Sequence, residues 1–189
     1  PLFFTGSGTA ATEAAGSALR TPSEVNSRKK VILSLEIGSF SNAMGNCLQN
    51  VGRGVIRLKG GVGEDLPFDQ CREALVKDLN DNPGGCIKLV MAPHNETGTG
   101  VTASTLKLRH LLDELEHPAL LGIDAISSTG SLPLSMKDEG IDMLIGCSQK
   151  GLMATPGIGM ITLSPKALQR VAECEQLMKD AGLQRSEHY

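Results

Sequence analysis

Short aliphatic runs, separated by stretches with helical spacing, constrain the fold of this chain more than any other feature of its sequence. The runs are Leu2-Phe3-Phe4, Val31-Ile32-Leu33, residues 54–58 (GVIRL), 87–91 (IKLVM), 119–123 (ALLGI), 143–145 and 159–163 (GMITL). They read as strands. Residues 10–19, a stretch running through Val51, residues 68–79, the segment around Leu108 and the segment from Pro165 read as helices. Phe68, Cys71, Leu75 and Leu79 fall at helical spacing, and Asn82-Pro83-Gly84-Gly85 stops that helix. Leu108, Leu111, Leu112 and Leu115 form one apolar face, with Lys107, Arg109, Asp113 and Glu114 turned away. The last helix has Pro in its first turn and turns Leu168, Val171, Ala172 and Met178 inward. Residues 21–30 form a polar loop. Strands alternating with helices imply an α/β fold with a mostly parallel sheet.

The length of 189 residues suits one such domain. A net charge of -3 argues against a nucleic-acid or membrane-surface partner. Cys47, Cys71, Cys86, Cys147 and Cys174 include no CxxC pair, so they read as reduced thiols and not as a disulfide or zinc framework. That places the protein inside the cell, in the cytoplasm, or in a peroxisome or mitochondrion in a eukaryote. The chain starts at Pro1 and stops just after a helix, which reads as part of something longer.

In parallel sheets, ligands bind beyond the carboxyl ends of the strands. Here those ends carry Gly6-Ser7-Gly8-Thr9, the loop HNETGTG from His94, Asp124, and Gln149-Lys150. A glycine turn opening a helix offers free N–H groups to a phosphate, and Ser7 and Thr9 add hydroxyls. A lysine flanked by glycines and small residues can lose water, which favours the neutral, nucleophilic amine. Each residue also has a plain reading. Lys150 is a solvated loop lysine, Asp124 a turn acid, Ser7 and Thr9 helix N-caps, Thr97 an ordering residue of its own loop, and Phe40 a core aromatic.

Two ligands fit the set. Gly6-Ser7-Gly8-Thr9-Ala10-Ala11 matches G-x-G-x-x-A, with Glu36 at the end of the second strand where a dinucleotide's ribose would sit. That reading leaves Asp124, Gln149 and Lys150 without a task. Pyridoxal phosphate needs a lysine for a Schiff base, an acid facing the pyridine nitrogen, a phosphate cradle and a flat group over the ring. Lys150, Asp124, Ser7-Gly8-Thr9 and Phe40 supply these.

The runs HNETGTGVT, HPALLGIDAISS, GIDMLIGCSQKGL and TPGIGMITLSPKAL resemble the class V aminotransferases of fold type I, in particular the serine–glyoxylate and alanine–glyoxylate enzymes. The resemblance is strongest from His94 to Leu168. It implies a three-layer αβα large domain over residues 1–189, without the amino-terminal arm and carboxyl-terminal small domain of full members. It implies a homodimer moving an amino group from serine or alanine to glyoxylate or pyruvate. Lys150 would carry the cofactor and shuttle the Cα proton, and Asp124 would pair with the pyridine nitrogen. Gln149, Ser7, Gly8 and Thr9 would hold the phosphate, and Thr97 would bond the phenolic oxygen. Phe40 would stack on the ring, and Ser127 would support Asp124 from behind. A lyase or desulfurase of the same fold is the alternative. The family's substrate-carboxylate arginine belongs to the small domain, and Arg170 and Arg185 are not obvious substitutes. His94 has no visible acid or serine partner, Glu96 no defined role, and His110 and His117 read as surface or helix-end residues.

Overall fold

A computed structural model describes residues 2–25 and 29–183. In chain order it contains β1 (Leu2–Thr5), α1 (Gly8–Ala18), a short 3-10 turn (Pro22–Glu24), β2 (Lys30–Glu36), α2 (Ser39–Asn50), β3 (Gly54–Lys59) and α3 (Phe68–Asp81). There follow β4 (Leu89–Pro93), β5 (Asn95–Glu96), β6 (Val101–Thr102), α4 (Thr105–Glu114), β7 (Leu120–Asp124), β8 (Met143–Cys147), β9 (Ile158–Leu163) and α5 (Pro165–Asp180). The main sheet has the order β1-β9-β8-β7-β4-β2-β3. β9 pairs antiparallel with both β8 and β1, while the other pairings are parallel. β1 therefore points the same way as β2, β4, β7 and β8, and β9 alone runs against them. Arg185 lies outside the described residues.

The central strands β4 and β7 are almost wholly apolar because both of their faces are covered. Leu33, Leu35, Val90, Leu121 and Ile123 face one core with Leu75, Leu108 and Leu112 of α3 and α4. Ile32, Leu89, Met91, Leu120, Met143 and Ile145 face the other core, with Ala11, Ala15, Met44, Leu48 and Ala167 of α1, α2 and α5. Alternate residues of one strand thus serve opposite layers. The result is the expected three-layer αβα arrangement.

Several local expectations change. The fourth strand starts at Leu89 and runs to Pro93, two residues later than the apolar run suggests. The loop after it is partly a hairpin, with Asn95 opposite Thr102 and Glu96 opposite Val101. Leu168 is 60% exposed and Ala172 is also exposed; Met178 is buried and Val171 half-buried as expected, and Ala167 and Cys174 join them on the inner side of α5. Arg109 does not face away. It is largely buried, bound to Asp113 and Asp142. His117 is buried, not at the surface. Its Nδ1 accepts from Ala119 N at 3.2 Å, so Nε2 carries the proton and donates to Asp78 Oδ2 at 3.3 Å. The same oxygen accepts from Cys86 N and Ile87 N at 2.7 and 2.8 Å, tying α3 to the entry of β4. Burial, partly offset by Asp78, lowers the His117 pKa from its ordinary 6.5.

Candidate active site

One cleft opens at the carboxyl edge of the parallel strands. Its volume is about 230 Å³, and Ser7, Gly8, Thr9, Phe40, Thr97, Asp124, Gln149 and Lys150 all line it. These are the residues singled out from the sequence. β1 meets the edge because β9 reverses direction and restores its orientation. Ser7 is the N-cap of α1 and accepts from Ala10 N at 3.4 Å. The next N–H groups, of Gly8 and Thr9, have no acceptor within the helix and lie at its positive end.

Asp124 closes β7 between β4 and β8. His94 N bonds its carbonyl at 2.8 Å, and Ala125 N bonds Ile145 O at 2.8 Å. Its Oδ1 accepts from Ile126 N at 2.9 Å. Burial pushes the Asp124 pKa up from 3.8 to about 6, against that hydrogen bond and with a smaller push from Glu96. The carboxylate lacks a full set of compensating partners, an environment that favours a cation or a shared proton beside it.

Gln149 and Lys150 follow β8 in a closed turn. Ser148 Oγ donates to Thr155 O at 2.7 Å, and Met153 N to Lys150 O at 2.8 Å. Gln149 Oε1 is buried without a hydrogen-bond partner among the described residues, a group with unmet capacity at the cleft wall. Lys150 is exposed. The desolvation expected of it is absent here, although the side chain lines the cleft.

Sequence reasoning missed part of the site. Met44 and Cys47 line the cleft with Phe40; the three fall at i, i+4 and i+7 on α2, a spacing that could have found them. Asn95 also lines it; its Nδ2 donates to Ser127 Oγ at 3.0 Å and its carbonyl accepts from that hydroxyl at 3.1 Å. His94 does have a serine partner: its Nδ1 lies 2.8 Å from Ser128 Oγ, and the ring is buried. Burial lowers its pKa from 6.5 despite Glu139 nearby. Glu96 is wholly buried and receives four hydrogen bonds. Apart from Gly98, beside Glu96, these partners lie tens of residues away in the chain, and no local pattern marks them.

The dinucleotide reading fails on topology. β1 and β2 stand well apart in the sheet, with β9, β8, β7 and β4 between them, so the glycine turn does not belong to a βαβ unit of adjacent strands. Glu36 is buried and binds Arg57 at 2.5 and 2.9 Å, leaving no carboxylate for a ribose.

Residues 2–181 match the family model described as aminotransferase class-V. This chain is a class-V aminotransferase family member. The L-aspartate–glyoxylate aminotransferase of Paracoccus denitrificans is 38% identical over 140 residues, 74% of this chain and 34% of that protein. The serine–glyoxylate aminotransferase of Hyphomicrobium methylovorum is 36% identical over 167 residues, 88% of this chain and 39% of that protein. Among solved structures, an aspartate aminotransferase of subgroup IV from Thermus thermophilus superposes with a TM-score of 0.74 at 30% identity, covering 89% of this chain and 44% of that one. An alanine–glyoxylate aminotransferase from Nostoc sp. gives 0.73 at 25% identity, covering 100% and 49%. This class-V chain thus spans between a third and a half of the length of these relatives. Among the described residues, no helix is long and apolar enough to cross a membrane.

Proposed function

We propose that this chain carries the pyridoxal-phosphate-binding domain of an aminotransferase. The enzyme would move an amino group from a small amino acid, serine or alanine, to a 2-oxo acid such as glyoxylate or pyruvate. The observation that carries the reading is the meeting of Lys150, Asp124 and the start of α1 in one cleft, in a chain of the class-V family.

The side chains present fit that cofactor. The N–H groups at the start of α1 and the Ser7 and Thr9 hydroxyls suit a phosphate, and Gln149 would turn its amide NH₂ toward it. Asp124, with its pKa raised to about 6 in the ligand-free chain, is an acid that gains from a protonated nitrogen beside it. Thr97 would donate to the phenolic oxygen, and Phe40 would cover the ring. The bound cofactor supplies an electron sink for the charge left at the donor's Cα. Lys150 Nζ would hold the cofactor aldehyde covalently; once the donor's amine displaced it there, the freed Nζ would take the Cα proton and hand it to the former aldehyde carbon. A positioned base of this kind contributes about 10²–10⁴-fold. Asp124 would keep the proton on the pyridine nitrogen throughout.

Relatives named for serine–glyoxylate and aspartate–glyoxylate transfer support glyoxylate as acceptor. A second copy of the chain is also part of this reading. Lys150 is exposed, and Leu152 and Met153 beside it are 46% and 91% exposed. A partner closing over them would supply the burial that the lysine lacks.

The test is chemical. The protein is mixed with pyridoxal phosphate, reduced with borohydride and digested for mass spectrometry. The expected result is one phosphopyridoxyl group, on Lys150, and none in Lys150→Ala. Labelling spread over surface lysines, or unchanged by that substitution, overturns the assignment. Single-turnover assays with serine, alanine and aspartate then identify the donor.

A further inference from the structure

We infer that Glu96 is a positioning residue that sets Phe40 and Thr97 in register across the mouth of the cleft. The inference rests on the cofactor reading above and deepens it. Glu96 Oε2 accepts from Ser41 N and from Ser41 Oγ, both at 2.8 Å. Its Oε1 accepts from Phe40 N at 3.2 Å and from Gly98 N at 3.1 Å. The first three donors belong to the opening turn of α2, 55 and 56 residues away in sequence. The fourth belongs to the turn that carries Thr97. One carboxylate therefore joins the two segments that present Phe40 and Thr97.

The arrangement replaces an ordinary helix cap. The N-cap of α2 is Gly38, which has no side chain to accept from the first turn. A Cβ at Gly38 would lie 2.5 Å from the Glu96 carboxyl carbon, so Glu96 fills that place. Ser41 Oγ continues the network, accepting from Ile37 N and Gly38 N at 2.9 and 3.0 Å. On the other side, the Glu96 carbonyl accepts from Thr99 N and Gly100 N at 3.2 and 2.8 Å. Burial opposes ionisation of Glu96, but the hydrogen bonds from Ser41, Gly98 and Phe40 outweigh it and hold its pKa below 4.5. The charged, four-acceptor form is the one present at neutral pH. Phe40 is 53% exposed, so the backbone that Glu96 fixes has a large share in placing its ring.

Glu96→Gln keeps the shape but turns an NH₂ group toward N–H donors. Equilibrium dialysis with pyridoxal phosphate should give about tenfold weaker binding, as is usual when the support behind a ligand-binding group is lost. Glu36→Gln is the control. It disturbs another buried carboxylate, bound to Arg57 and absent from the cleft, and should keep wild-type affinity whatever its thermal stability. Amide exchange at Phe40 and Gly98 in the ligand-free protein should quicken in Glu96→Gln and not in Glu36→Gln. Equal loss of affinity in both variants reduces Glu96 to a structural role and overturns the inference, as does wild-type affinity in Glu96→Gln. If Glu96→Gln does not fold, Ser41→Ala decides by the same readout: weaker binding is expected, and unchanged binding overturns the inference. A wild-type protein that takes up no pyridoxal phosphate sinks the cofactor reading and this inference together, whereas normal uptake with an unaffected variant sinks only the inference.

Discussion

Asp124 ends a strand buried on both faces, and burial raises its pKa from 3.8 to about 6. Between those two values the folded chain binds more protons than the unfolded chain, so stability falls as pH rises through that window. Above it, the ligand-free protein holds an ionised, under-compensated carboxylate. Asp124→Asn removes that penalty while leaving an oxygen to accept from Ile126 N. The variant should be more stable than wild type by about 2 kcal/mol at pH 7.5, with the gap closing toward pH 4. Urea unfolding of the ligand-free proteins across that range measures it; a variant no more stable than wild type at pH 7.5 would show that the burial costs nothing. The type and place of Asp124 were readable from its position after an apolar run. Its proton affinity was not, because desolvation comes from residues on neighbouring strands. Glu96 and His94 show the same limit. Both stood in the HNETGTG loop without a visible role, and both prove to be buried with partners in α2 and at Ser128.

At the level of elements, helix α1 presents Ser7, Gly8 and Thr9 because of how closely it lies on β9. A Cβ at Gly159 would collide with the Ser7 carbonyl oxygen, the acceptor for Ala11 N at 3.2 Å. Backbone on both sides leaves little room to yield. Gly159→Ala should therefore cost about 1–3 kcal/mol, lowering Tm by roughly 3–10 °C in a chain of this size, and should loosen cofactor retention with it. A calorimetric Tm equal to wild type would mean that α1 shifts freely and that its place is not set here. The strands and most helices were legible because apolar runs and helical spacing are local. α5 was legible in part: its pattern placed Val171 and Met178 correctly but also pointed Leu168 and Ala172 inward, where Ala167 and Cys174 are the buried residues. Apolar spacing offered more than one face, and the neighbouring sheet chose between them.

For the whole molecule, the reversal of β9 is the decisive event. It places β1 parallel to the central strands, so a glycine turn at the start of the chain meets Asp124 and Lys150 from its second half. The cleft so formed leaves Lys150 and Met153 open to solvent. If a second copy covers this rim, Met153→Glu should move the protein from dimer to monomer in sedimentation velocity and weaken cofactor retention. On a free surface the same change should be nearly neutral, within about 0.5 kcal/mol, and a wild-type protein that sediments as a monomer removes the dimer from the reading. The sequence by itself determined the α/β class, the strand ends and the chemical types waiting there, since these follow from periodicity and from which side chains can hold a phosphate, a proton or an aldehyde. Only the tertiary structure decided which of those ends share a cleft, which acids are already spent on ion pairs or helix caps, and that the glycine turn is no dinucleotide loop. Strand order, burial and hydrogen-bond partners depend on residues far apart in the chain, and no local pattern carries them.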